Sequence, residues 1–107
     1  MSARPEFMAE IEFRIIRGLV RRALAAGYSI TVIDDAFGGG EAVVVRSYNS
    51  STIIGALATT GSDLLVLLDG RGRRVGSIAL VYNGDEDVIA DHSDTLPAGI
   101  LDAAVRS

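Results

Sequence analysis

Five carboxylates, Asp85, Glu86, Asp87, Asp91 and Asp94, fall within ten residues around His92, the only histidine of the chain. A hard cation such as Ca²⁺ or Mg²⁺ takes oxygen ligands of this kind. The spacing is not that of a helix–loop–helix calcium site. In an extended strand, alternation puts Asp87 and Asp91 on one face and His92 and Asp94 on the other. Asp87 and Asp91 are therefore the pair that would share an ion, against the plainer reading of a solvated turn. His92 has the side chain for a general base oriented by Asp91 or Asp94. No cysteine nucleophile exists and no serine sits in a nucleophile-elbow sequence, so a hydrogen-bonded structural histidine is the competing reading. No residue is assigned to catalysis, cofactor binding or metal binding on these grounds, and no cofactor is expected.

The second group is cationic. All ten basic residues are arginine. Arg71, Arg73 and Arg74 crowd one turn, while Arg14, Arg17, Arg21 and Arg22 line a helix. GC-rich codon usage explains an arginine-only chain, and bidentate recognition of carboxylate or phosphate is the sharper alternative. The net charge of −4 and the lack of interleaved aromatic rings disfavour nucleic acid. Arg71, Arg73 and Arg74, with the acidic turn Asp85, Glu86 and Asp87, are the candidate contacts for a protein partner. Gly38-Gly39-Gly40 precedes a strand rather than a helix and is followed by no Lys-Ser/Thr, so it does not read as a phosphate loop. Tyr82 is expected to pack its ring and leave its hydroxyl in water.

These groups need a scaffold. Residues 9–26 read as a helix, with Phe13, Ile16, Val20, Ala23 and Leu24 inward, Glu10, Arg14, Arg17 and Arg21 outward, and Gly27 as the stop. Strands follow over Tyr28–Asp34 and Ala42–Ser47, joined through the glycine run. Asn49-Ser50-Ser51 caps a short helix over Thr52–Thr59, with Ile53, Ile54 and Leu57 as its stripe and Gly61 as its stop. Leu64–Leu68 is a buried strand, and Asp69-Gly70-Arg71-Gly72 is a turn. Val75–Tyr82 and Asp87–His92 form a hairpin about Asn83-Gly84. Asp94 or Thr95 opens a last helix that runs to about Arg106, with Pro97 in its first turn. The order is α-β-β-α-β-β-β-α. Short links make this an α+β fold, with a mainly antiparallel five-stranded sheet and three helices.

A chain of 107 residues, 49% apolar, builds one core. No segment approaches the ~20 apolar residues that span a bilayer, and arginines interrupt the first apolar stretch, which argues against a signal peptide. A cytoplasmic location is expected, and the absence of cysteine agrees with it. Glu6-Phe7 is what a common cloning site encodes, so residues 1–7 are taken as an expression scar and 8–107 as the globular domain.

Three stretches carry a family resemblance: Arg21–Val32, Ser50–Thr60, and Val75–Asp85 continued by Asp87–Asp94. They resemble small uncharacterised proteins of phages and of prophage regions in proteobacteria. The chain departs from them with Ser77 where a Trp is common, and with a glycine run in place of a shorter turn. The resemblance brings no established activity and no functional residue. It implies a non-enzymatic accessory protein that acts by protein–protein contact, modulating a host function or defence. Nucleic-acid binding through the arginine clusters is the alternative, and a metal-dependent or histidine-based enzyme the third. Ile33, Val44, Leu65 and Leu67 are a large apolar supply for so small a chain, and a homodimer that buries an uncovered sheet face is expected.

Overall fold

The computed structural model describes residues 5, 8–35, 38, 40–85, 87–97 and 99–101. Their elements are α1 (Glu10–Ala25), β1 (Ser29–Asp34), β2 (Ala42–Ser47), α2 (Ser50–Gly55), β3 (Ser62–Leu68), β4 (Arg74–Val81) and β5 (Ile89–His92). The strands make one five-stranded sheet in the order β2-β1-β3-β4-β5, and every neighbouring pair is antiparallel. The α+β class and the antiparallel sheet are as expected.

Helix α1 forms because charge and apolar pattern agree. Glu10 and Glu12 lie in its first turn and Arg22 in its last, each opposite in sign to the partial charge of the helix end beside it. Its buried stripe is Glu12, Ile15, Ile16, Leu19, Val20 and Ala23. Phe13 and Leu24 sit at the margins, and the Arg17 guanidinium lies 5.2 Å from the Phe13 ring centre. The helix closes with the Gly27 N–H on the Leu24 carbonyl and the Tyr28 N–H on the Ala23 carbonyl. This paired closure needs a left-handed residue at Gly27, whose φ is +95°.

Helix α2 has Asn49 as its N-cap, within the expected capping run, with the Thr52 N–H on Asn49 Oδ1 at 3.1 Å, but it starts at Ser50 rather than Thr52 and is shorter. It ends at Gly55, well before Gly61, because Ala58 adopts a left-handed conformation at φ 60° and gives its N–H to the Asp63 carboxylate instead of to a helical carbonyl.

Both helices pack on one face of the sheet. Ile16, Leu19 and Val20 of α1 and Ile53 and Ile54 of α2 share a single cluster with Ile30, Val32, Leu65, Leu67, Ile78 and Leu80. Residues of opposite parity, among them Thr31, Ile33, Leu64, Val66, Ser77 and Ala79, point to the other face. Among the described residues, no helix or second sheet layer lies over that face. Of the apolar supply Ile33, Val44, Leu65 and Leu67, part of which an open face was expected to expose, Leu65 and Leu67 are buried under the helices, and Val44 packs against the same core.

Of the three expected helices, two occur among the described residues. The expected third differs in its described part, where residues 94–97 and 99–101 form turns. The Leu96 N–H bonds to the Ser93 carbonyl and the Ile100 N–H to the Pro97 carbonyl, both three residues back. Pro97 has no N–H to give, and Gly99 sits at φ +88°, so no regular ladder develops. Residues 102–106 of that expected helix lie outside the described residues. Leu96 and Ile100 still reach the core.

This turn segment crosses the sheet over Gly76, where an added Cβ would stand 2.8 Å from the Leu96 Cα. The obstacle is backbone, which cannot rotate away. Gly76→Ala is expected to cost about 1–3 kcal/mol, read as a lower urea midpoint at unchanged m-value.

Candidate functional site

Four regions hold the chemistry, and antiparallel order decides which of them meet. The starts of β2 and β3 and the ends of β1 and β4 share one end of the sheet. Asp34, Asp35, Glu41, Asp63 and Asp85 are all at that end, and no arginine lies in its strand ends or turns among the described residues. At the opposite end lie Arg46, the β3–β4 turn with Arg71 and Arg73, and Arg74.

The acidic end contains two buried carboxylates that sequence reading passed over. Glu12 is 1% exposed. Its Oε1 accepts the Ala9 N–H at 2.9 Å and its Oε2 the Gly84 N–H at 3.0 Å. One side chain thus closes the start of α1 and holds the β4–β5 turn against it. The signal for the first contact was present, since Glu at the third helical position reaches back to the N-cap. The second joins residues 72 apart in sequence, and no local pattern announces it.

Asp63 is fully buried. Its Oδ2 accepts the Tyr82 hydroxyl at 2.6 Å and the Ala58 N–H at 2.9 Å, whereas Oδ1 has no hydrogen-bond partner among the described residues. Burial holds this carboxyl above its ordinary 3.8 against the opposing effect of the Tyr82 and Ala58 bonds, and nearby Asp34 adds to the rise. Tyr82 is corrected accordingly: its hydroxyl is not in water but donates to Asp63. Burial, reinforced by Asp63, pushes that hydroxyl far above the usual tyrosine range. At the rim, the Thr60 hydroxyl lies 2.9 Å from Asp34 Oδ1 and 2.8 Å from the Ser62 carbonyl, with one proton for either. The cluster is closed to substrate, and its geometry is that of a clamp on the turn after α2.

Around β5, the expected dyads do not assemble. The His92 ring is exposed, with Nδ1 at 3.2 Å from the Ser93 carbonyl. Asp91 Oδ1 accepts the backbone N–H of His92, not its ring. Ser93 Oγ accepts the Ser77 N–H and meets Thr95 Oγ1. Two shallow depressions beside His92 and Ser93 measure about 170 and 150 Å³, below the ~300 Å³ at which small-molecule pockets begin. Asp85 Oδ1 accepts the Asp87 N–H, a local turn bond, and Glu86 lies outside the described residues. Among the described residues, no group of three or more His, Asp or Glu side chains is placed to hold a metal ion.

At the basic end, Asp69 organises the β3–β4 turn. Its Oδ1 accepts the Arg71 and Arg73 N–H groups, and Oδ2 lies 3.4 Å from Arg73 Nε. The Arg73 N–H, with the neighbouring amide and guanidinium, holds the Asp69 carboxyl below its ordinary 3.8. Arg74 Nη2 donates to Ser77 Oγ. Arg46 joins from β2: a Cβ added at Gly72 would stand 3.2 Å from its guanidinium. Sequence reading missed Arg46, which is 25 residues from Arg71 and reaches it only through the strand order.

The fourth region is β2. The large apolar residues left exposed among the described residues are Val43, Val45 and Tyr48, at 51, 66 and 60%. All three lie on or directly after this edge strand.

Replacing Glu12 by Gln leaves one oxygen for two buried N–H donors and turns an amide donor toward the other. Glu12→Gln is expected to destabilise by about 1–3 kcal/mol, measured by chemical denaturation. Asp63 gives a pH signature. Its folded-state pKa is raised, so the folded chain holds this proton more tightly. The resulting stability is fully present below 3.8 and is lost as pH rises through the folded value. Asp63→Asn cannot ionise, so its stability relative to the parent chain should improve as pH rises from 3.8 toward neutrality. A difference that does not change with pH would contradict the assignment.

In comparisons with known proteins, no family model matches the chain, and no curated protein or solved structure does so either.

Proposed function

We propose that this chain is a non-enzymatic binding protein that acts by protein–protein contact through strand β2 and the sheet face beside it. One observation carries the reading: the exposed large apolar residues of the described chain, Val43, Val45 and Tyr48, are gathered on one edge strand. Apolar side chains scattered singly over a surface need no explanation, but a group of them on an unpaired edge marks a contact. The shallow depressions near His92, and its ring's contact with the Ser93 carbonyl instead of a carboxylate, weigh against catalysis there. Among the described residues, no helix is long and apolar enough to cross a membrane. The resemblance to phage and prophage proteins supplies the setting, an accessory factor that modulates a host function or defence.

A second reading has one observation in its favour. Arg46 joins Arg71, Arg73 and Arg74 at one end, with Asp69 as the carboxylate in ion-pair contact there among the described residues. Such a patch suits phosphates. The chain's acidic balance opposes it.

A photoreactive phenylalanine analogue at position 45 separates the two. The contact reading expects discrete protein adducts in a bacterial host lysate, absent when the probe replaces exposed Asp87. The rival expects a salt-sensitive gel shift with DNA or RNA at physiological ionic strength, lost in the triple variant Arg71→Ala, Arg73→Ala, Arg74→Ala. That shift without any adduct at position 45 would overturn the proposal.

A further inference from the structure

The two edges of the sheet differ. Strand β5 has four residues, and Asp91 and His92 are exposed on it. Shortness and charge are how native edges avoid pairing with other chains. Strand β2 has six residues, and its run Ala42-Val43-Val44-Val45 contains no charge, proline or glycine. Its pairing with β1 is irregular at two places: Val32 opposes Val44, while Ile30 opposes Ser47 and Ile33 opposes Ala42. Arg46, at φ 49° and with its N–H on Thr31 Oγ1, ends the uncharged run. Between these irregularities the β2 edge is apolar and longer than β5, and it is flanked by Arg46 at one end and Glu41 at the other.

We propose that β2 pairs antiparallel with β2 of a second copy of the chain, giving a continuous ten-stranded sheet. The inference rests on the reading of β2 as the contact surface and names its occupant. Two identical antiparallel strands are related by a two-fold axis normal to the sheet, and that axis keeps each face on its own side. Residues directly opposite must then share a face, so an axis at Val44 sets Val43 against the partner's Val45 twice. Both are valines left exposed in the single chain. The same reversal lays the acidic end of each copy, Asp35 and Glu41, beside the basic end of the other, Arg46 and the turn carrying Arg71. This charge complementarity is built into the chain itself and selects a second copy over a partner of one charge sign. Closure follows as well. The contact is isologous and uses up the open edge, and the guarded β5 edges end the assembly at two.

The test uses the absence of cysteine from the chain. In sedimentation equilibrium the mass should rise with concentration toward twice the 11.2 kDa of the chain. Val45→Lys, which adds the guard the edge lacks, should raise the dissociation constant about tenfold or more, with unchanged circular dichroism. Glu41→Arg should weaken the dimer too, because it sets like charges together. Val44→Cys, on the axis, should form a disulfide-linked dimer under mild oxidation, and Ala90→Cys on β5 should not. A dimer that links through position 90 but not 44 overturns this pairing and leaves the contact function standing. A monomer at every concentration whose position-45 probe still captures another protein does the same. A monomer with no adduct at position 45 removes both.

Discussion

One layer of helix covers one face of a sheet, and this geometry governs the rest of the molecule. Helix α1 has 16 residues, is ~24 Å long, and runs from the β4–β5 turn to the start of β1. Helix α2 adds six residues beside it. Together they bury alternate residues of β1, β3 and β4 to 1% exposure or less, among them Ile30, Val32, Leu65, Leu67, Ile78 and Leu80. Nothing comparable remains among the described residues for the opposite face or for the edges. The apolar positions that fall there must be shielded by small and polar neighbours, as Val66 is between Thr31 and Ser77, or stay in contact with water, as Val43 and Val45 do.

The covered side is held together by polar side chains as well as by packing. Glu12 and Asp63 are buried carboxylates without a basic partner among the described residues. Each is satisfied, in whole or in part, by backbone N–H groups and one hydroxyl. Buried charge is tolerated only with such donors. The donors come from turns that have few other ties: the N-cap of α1, the β4–β5 turn, and the left-handed residue after α2. Glu12 ties helix to hairpin and Asp63 ties β3 to the turn that precedes it. Burial gives the second clamp its pH sensitivity, since the bonds to Asp63 Oδ2 do not fully offset the cost of an ionised carboxyl in that place.

The uncovered side gains its character from charge order. Carboxylates gather where β1 and β4 end, and arginines where β1 and β4 begin. Antiparallel strands convert spacing along the chain into separation across the molecule. Arg71, Arg73 and Arg74 therefore stand at the far end from Asp85, and the two clusters, both candidates for partner contact, belong to different surfaces. A strand lying between such ends is complementary to its own reversed copy.

The sequence by itself determined the elements. Apolar period, the Asn49 cap, the Gly27 stop and the Asn83-Gly84 turn placed α1, the five strands, the cap of α2 and the antiparallel order, because each depends on residues a few positions apart. It did not determine where α2 ends or whether residues 94–97 and 99–101 are helical. Those outcomes rest on Asp63 capturing the Ala58 N–H and on Leu96 settling over Gly76, contacts that exist only once the sheet has formed. The same holds for the sites. The Arg71–Arg74 turn and the acidic run were legible as local clusters. Only the tertiary structure joined Arg46 to the first, buried Glu12 and Asp63, and sent Tyr82 to a carboxylate instead of to water. It also decided which valines are core and which are surface: in Val43-Val44-Val45 the residue type is constant, and only the side of the sheet each one faces tells them apart.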